Sequence, residues 1–123
     1  MTAKSILIIE DSVFIRQLLT ENISELQMQV VAECADPRQG IAWFEELRPD
    51  ITLIDYSLPG MTGLQVAEEL LKQDFYARVV LMIPHRMLSQ SQNMIALGIR
   101  AVVAKPFYPE RLQTILIEVA ENR

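Results

Sequence analysis

The sequence predicts an α/β domain built on a doubly wound, five-stranded parallel sheet flanked by five helices. Three observations carry this: five short apolar runs, amphipathic segments that separate and follow them, and connections of only a few residues. The chain has 123 residues, half of them apolar, which suits one compact domain with a substantial core. No Gly/Ser linker, internal repeat or low-complexity tract divides it, so residues 1–123 are read as a single domain.

The strands are expected at residues 5–9, 29–33, 51–54, 79–83 and 101–104. Four of these runs are nearly all apolar and suit strands covered on both faces; the second has more polar neighbours and suits an edge. The first helix begins at Ser12, with Ile15, Leu18, Leu19, Asn22, Ile23 and Leu26 as its stripe. Asp36 and Pro37 open the second, Asp36 as cap and Pro37 at the first helical position. Its buried face is Ile41, Phe44 and Leu47, which leaves Trp43 for packing. Leu64, Ala67, Leu70 and Leu71 form the third stripe and residues 87–97 a fourth helix. Leu112, Ile115, Leu116 and Val119 form the fifth, after Pro109. Periodicity does not fix strand order, but five such strands fit 2-1-3-4-5, with the chain reversal and its ligand crevice between strands one and three.

Composition excludes several functions. The net charge is −5 and Lys and Arg are scattered, which argues against a nucleic-acid surface. A helix-turn-helix output would need residues beyond 123, so DNA binding is expected to lie outside this domain. No apolar run approaches the ~18 residues of a membrane-spanning helix. Cys34 is the only cysteine and reads as a small buried hydrophobe. With no charged leader and no internal disulfide, a reducing cytoplasm is expected.

Strand one ends in Glu10-Asp11 and strand three in Asp55, so the proposed order brings three carboxylates together. Carboxylates this close repel, and a hard divalent ion, Mg²⁺ above all, would accept their oxygens. Acids at strand ends are also ordinary helix caps, and Asp11-Ser12 could serve as one. The further motifs are Asp55-Tyr-Ser-Leu-Pro-Gly-Met-Thr-Gly63 and, after strand five, Ala104-Lys105-Pro106-Phe107.

With these residues the chain resembles response-regulator receiver domains of two-component signalling from end to end, a flavodoxin-like fold. The resemblance implies Asp55 as phosphoacceptor and Asp11 as direct Mg²⁺ ligand, with Glu10 acting through the metal shell. It also implies the Ser57 backbone carbonyl as a ligand, Lys105 paired with phosphate, and a cis bond before Pro106 aiming that lysine inward. The implied partners are a histidine kinase or phosphotransfer protein and an unidentified output protein or domain, with a homodimer left open. Such a module phosphorylates itself, with autophosphatase activity left open, and is not a turnover enzyme. Gly60 and Gly63 flank a turn that would tolerate positive φ.

Two family features are missing. The Ser/Thr that usually ends strand four is replaced by Ile83, or by Pro84 if the gap moves, and the strand-five aromatic by Val102. None of the three donates a side-chain hydrogen bond or swings a ring. The alternative is therefore a phosphorylation-independent interaction module whose partner face would take in Met87, Met94 and Phe107, although Met94, at helical spacing from Ile95 and Leu97, reads more often as core. His85, the only histidine, is expected beside the crevice as a loop residue or phosphate contact. A haloacid-dehalogenase-type phosphatase would need a second Asp where Ser57 stands. Flavodoxin-like cofactor binding would need a Ser/Thr-rich phosphate loop after strand one, and none is present.

Overall fold

A computed structural model describes residues 3–122. In chain order the elements are β1 (Lys4–Ile9), α1 (Val13–Ser24), β2 (Met28–Cys34), α2 (Pro37–Leu47), β3 (Ile51–Asp55) and α3 (Gly63–Gln73). There follow β4 (Val79–Pro84), a 3₁₀ helix (His85–Gln90), α4 (Ser91–Ala96), β5 (Ala101–Lys105) and α5 (Pro109–Glu121). The strands form one parallel sheet in the order β2-β1-β3-β4-β5, as expected.

Strand alternation builds two cores from one sheet. Leu7, Ile9, Ile54, Leu81 and Ile83 face α2, α3 and α4, where they meet Phe44, Val66, Leu70 and Met94. Ile6, Ile8, Leu53, Met82 and Val103 face the other way, onto Leu19 and Ile23 of α1 and Leu112, Ile115 and Leu116 of α5. Residues buried on both faces explain why the central strands read as unbroken apolar runs. The β1–β3 register is pinned at its start by the Asp50 carboxylate, which accepts from the Ser5 amide at 2.7 Å, while the Ser5 hydroxyl accepts from the Asp50 amide at 2.9 Å.

The caps follow the sequence. Ser12 Oγ accepts from the Ile15 amide at 3.2 Å and Asp36 Oδ2 from the Gln39 amide at 2.9 Å, with Pro37 and Pro109 in the first turns of α2 and α5. Ser12, not Asp11, therefore caps α1.

Several expectations are corrected or refined. Residues 87–97 do not form one helix: a 3₁₀ turn precedes a short α4, because the polar run 89–93 leaves only Met87 and Met94 facing inward. Met87 is thus core and not a partner face, and Met94 is core as its helical spacing favours. Leu47 is exposed at the last turn of α2, where Arg48 takes a left-handed conformation, φ 45°. β5 is the second edge, as the order 2-1-3-4-5 requires, and is only half-buried although it packs on both faces, with Val103 in one core and Val102 against the other. Of the two turn glycines, Gly60 uses the tolerance for positive φ, at 82°, and Gly63 does not.

Candidate functional site

A single period-two rule delivers the site. Ile8, Leu53, Met82 and Val103 all face the α1/α5 core. Two residues further along, alternation directs Glu10, Asp55, Pro84 and Lys105 to that side, at the C-terminal ends of four adjacent strands. The pairing of Ile9 with Ile54 sets Glu10 level with Asp55, and Pro84 pairs with Lys105; because Asp55 pairs with Met82, that second pair lies two residues further along.

Lys105 Nζ donates to Asp55 Oδ1 at 3.0 Å and to Glu10 Oε1 at 3.1 Å. The Lys105–Pro106 bond is cis. Glu10 and Asp55 are only 1% and 3% exposed. The Ser12 amide holds the other Glu10 oxygen at 3.1 Å. Asp11 is exposed at the rim, yet Glu10, Asp11 and Asp55 each offer a carboxylate oxygen within 4.8 Å of the others.

Burial raises the Asp55 carboxyl above its ordinary value, against the hydrogen bond and charge of Lys105. Burial also raises Glu10, with the Asp55 charge adding to it and the Ser12 amide opposing it. Desolvation alone would lower Lys105; the hydrogen bond and charge of Asp55, joined by Glu10, outweigh it and hold the ammonium above the ordinary lysine range. Three carboxylates facing one ammonium leave an excess of negative charge. An all-oxygen donor set of that charge fits a hard divalent cation such as Mg²⁺.

The crevice, about 440 Å³, has Asp55, Ser57 and Lys105 as its polar lining and Ile15, Leu18, Pro84, Pro106 and Phe107 as its apolar wall. Of the two positions weighed for the missing hydroxyl, Ile83 is fully buried in the α2/α3 core and Pro84 lines the crevice. Val102 packs half-buried against the same core as Ile83. His85 is exposed and opens the 3₁₀ turn after Pro84.

Behind Asp55 the loop is held from both sides. The Tyr56 amide donates to the Met82 carbonyl at 2.7 Å, and the Tyr56 carbonyl accepts from the Gly63 amide at 2.7 Å. A reciprocal pair between Thr62 and Gln65 starts α3. Gly63 is required by proximity: a Cβ there would lie 2.8 Å from the Asp55 carbonyl carbon and from Tyr56 Cα.

Sequence reasoning did not single out Arg16, whose guanidinium reaches the Glu10 carbonyl at 2.6 Å. Nor did it place Ile15, Leu18 and Phe107 in the crevice wall. Alternation counted from Met82 would have found Pro84; nothing in the residue pattern marks Arg16 beyond its place in the first turn of α1.

The model of the family described as the response regulator receiver domain matches residues 6–117. The chain is 28% identical to chemotaxis protein CheY of Thermotoga maritima, covering 96% of this chain and 98% of that one. It is 32% identical to sporulation initiation phosphotransferase F of Bacillus subtilis, covering 87% and 86%. Among solved structures, the CheX–CheY–BeF3–Mg complex from Borrelia burgdorferi contains a chain that superposes with a TM-score of 0.90 at 20% identity, covering 97% of this chain and 90% of that one.

Proposed function

The chain belongs to the response regulator receiver domain family, and from that premise we propose that Asp55 accepts a phosphoryl group from a histidine kinase or phosphotransfer protein and relays the signal through protein contacts. One observation carries the reading: a buried carboxylate at a strand end shares one ammonium with a second buried carboxylate, and an exposed third lies within ligand distance.

An Asp55 oxygen attacks phosphorus in line with the leaving group. The P–N bond of the donor phosphohistidine breaks, and its electron pair stays with the ring, which departs as neutral imidazole when protonated beforehand. Asp55 needs no general base, because a carboxylate is the nucleophile as it stands. Lys105, already 3.0 Å from Asp55, neutralises charge on the phosphoryl oxygens. Asp11, Asp55 and the Ser57 carbonyl would hold Mg²⁺, with Glu10 acting through its shell; the ion supplies further charge neutralisation at the same oxygens. The Mg²⁺ named in the Borrelia complex supports a metal in this reading, and the phosphotransferase named among the relatives supports phosphoryl transfer. A cytoplasmic setting follows from the donor.

Acetyl phosphate with MgCl₂ tests the proposal. The wild-type intact mass should rise by one phosphoryl group and that of Asp55→Ala should not. No gain in either protein would instead favour the phosphorylation-independent interaction module, the reading to which the donor-free Pro84 and ringless Val102 lend weight.

A further inference from the structure

The segment that presents Asp11 is fixed by backbone ties, and one of them comes from a side chain outside the acidic cluster. The Glu10 amide donates to the Cys34 carbonyl of β2 at 2.9 Å. The Glu10 carbonyl accepts from Arg16 Nη1 at 2.6 Å. Arg16 is itself held: its Nε donates to Glu33 Oε1 at 3.2 Å, and the Thr20 hydroxyl donates to the other Glu33 oxygen at 3.4 Å. Only 15% of the Arg16 side chain is exposed.

The Glu10 carbonyl belongs to the planar peptide group that leads into Asp11, so its direction sets where the Asp11 Cα and carboxylate point. We propose that Arg16 is a positioning residue for the divalent-cation site, orienting the Glu10–Asp11 peptide so that the exposed Asp11 carboxylate stays within reach of Asp55. The proposal rests on the magnesium reading above. A planar fork suits this role, because one guanidinium bonds a carbonyl and a carboxylate in different directions, which a single ammonium cannot do with the same geometry. Glu33 and Thr20 act at one remove, by holding the fork.

Charge and geometry oppose each other here. Removing a cation bonded to the Glu10 carbonyl would strengthen Mg²⁺ binding by charge alone, while freeing the peptide would weaken it. Arg16→Lys keeps the charge and loses the fork, so it isolates geometry. Glu33→Gln keeps Arg16 and loosens its tether.

The experiment is calorimetric titration of MgCl₂ into the wild type and both variants, followed by phosphorylation with acetyl phosphate across a Mg²⁺ series. Arg16→Lys should bind Mg²⁺ roughly tenfold more weakly, in the range seen when outer partners of a metal site are lost. Glu33→Gln should move the same way by a smaller factor. In the kinetic series, the half-saturating Mg²⁺ concentration should rise by the factor seen in the titration, with the rate at saturating Mg²⁺ restored. A purely structural role would lower thermal stability and leave the Mg²⁺ constant alone. Wild-type binding with unchanged constants in the variants overturns the inference and leaves the magnesium reading standing. A wild type that takes up no Mg²⁺ overturns both. If Arg16→Lys does not fold, Glu33→Gln decides.

Discussion

Replacing Gly63 with alanine should disable Asp55 without touching its side chain. The added methyl would sit 2.8 Å from the Asp55 carbonyl carbon and from Tyr56 Cα, and closer still to the Asp55 carbonyl oxygen. Ordinary carbon–carbon contact lies near 3.5–4.0 Å, so the backbone must yield by roughly 1 Å. The obstructing atoms are main chain, and the Tyr56 amide is bonded to the Met82 carbonyl at 2.7 Å, so nothing flexible can step aside. Overpacking of this kind costs about 1–3 kcal/mol, which in a domain of this size lowers Tm by about 4–12 °C. A 1 Å displacement of a reacting group costs on the order of 10²-fold in rate. The assay is Mg²⁺-dependent phosphorylation by acetyl phosphate, followed by intact mass, beside a thermal melt. Gly60→Ala is the control: no atom lies within 4 Å of its Cβ, but its φ of 82° is strained for alanine. It should cost about 1–2 kcal/mol and leave phosphorylation near wild type. A Gly63→Ala protein with unchanged rate and Tm would refute the claim that this contact sets the nucleophile's position.

Lys105→Met strips Glu10 and Asp55 of their shared cation; Mg²⁺ should bind more tightly while phosphorylation slows by roughly 10²-fold, and calorimetry beside intact mass separates the two effects. The raised pKa values of Glu10 and Asp55 mean that the folded state holds protons the unfolded chain has released. Their contribution to stability is therefore present below the ordinary carboxylate range and lost as pH rises through the raised values. Lys105, also raised, contributes fully below its ordinary value and loses that only as pH climbs through the folded one. In EDTA, Tm should thus fall from mildly acidic toward neutral pH, Asp55→Asn should flatten that slope, and Mg²⁺ should stabilise more at the higher pH; a slope identical in Asp55→Asn would contradict the assignment. Burial pushes the Cys34 thiol up to about 11, so at pH 8 it should react with a thiol reagent about a hundredfold more slowly folded than unfolded, which a stopped-flow trace with and without denaturant measures.

Most of the fold was legible because the signals are local. Alternating apolar runs and helical stripes, Ser12 and Asp36 as caps and Pro37 and Pro109 in first turns needed no tertiary information. The acids were legible for a related reason: Glu10 and Asp55 are placed by strand ends, where the apolar run stops, whereas the role of Lys105 comes from the resemblance carried by its Lys-Pro motif. What failed depended on the third dimension. Residues 87–97 look helical by their apolar spacing, but only Met87 and Met94 find core to bury against, and the polar stretch between them takes a tighter turn. Gly63 reads as a turn glycine, whereas its requirement is contact with a backbone several residues away. Arg16 is invisible for the same reason, since both its partners lie off its own helix face.

The choice between Ile83 and Pro84 shows how far parity alone can go. Counting puts Ile83 at the hydroxyl position and Pro84 there only if the gap moves, but a strand offers only one face at each position. Met82 lies in the α1/α5 core with Leu53 and Val103, so Pro84, two residues on, shares the side of Asp55 and Lys105, and Ile83 faces away. The consequence is chemical. Among side chains lining the crevice, donors come from Ser57 and Lys105, and β4 contributes none, since Pro84 has neither hydroxyl nor amide hydrogen. Val102 cannot report through a ring, because its isopropyl side chain has none to exchange between buried and exposed positions, and its χ1 is stiff. On the proposed reading, a response to phosphate at Asp55 must therefore begin at Lys105, at Ser57 or at the backbone after the nucleophile, with β4 following instead of leading.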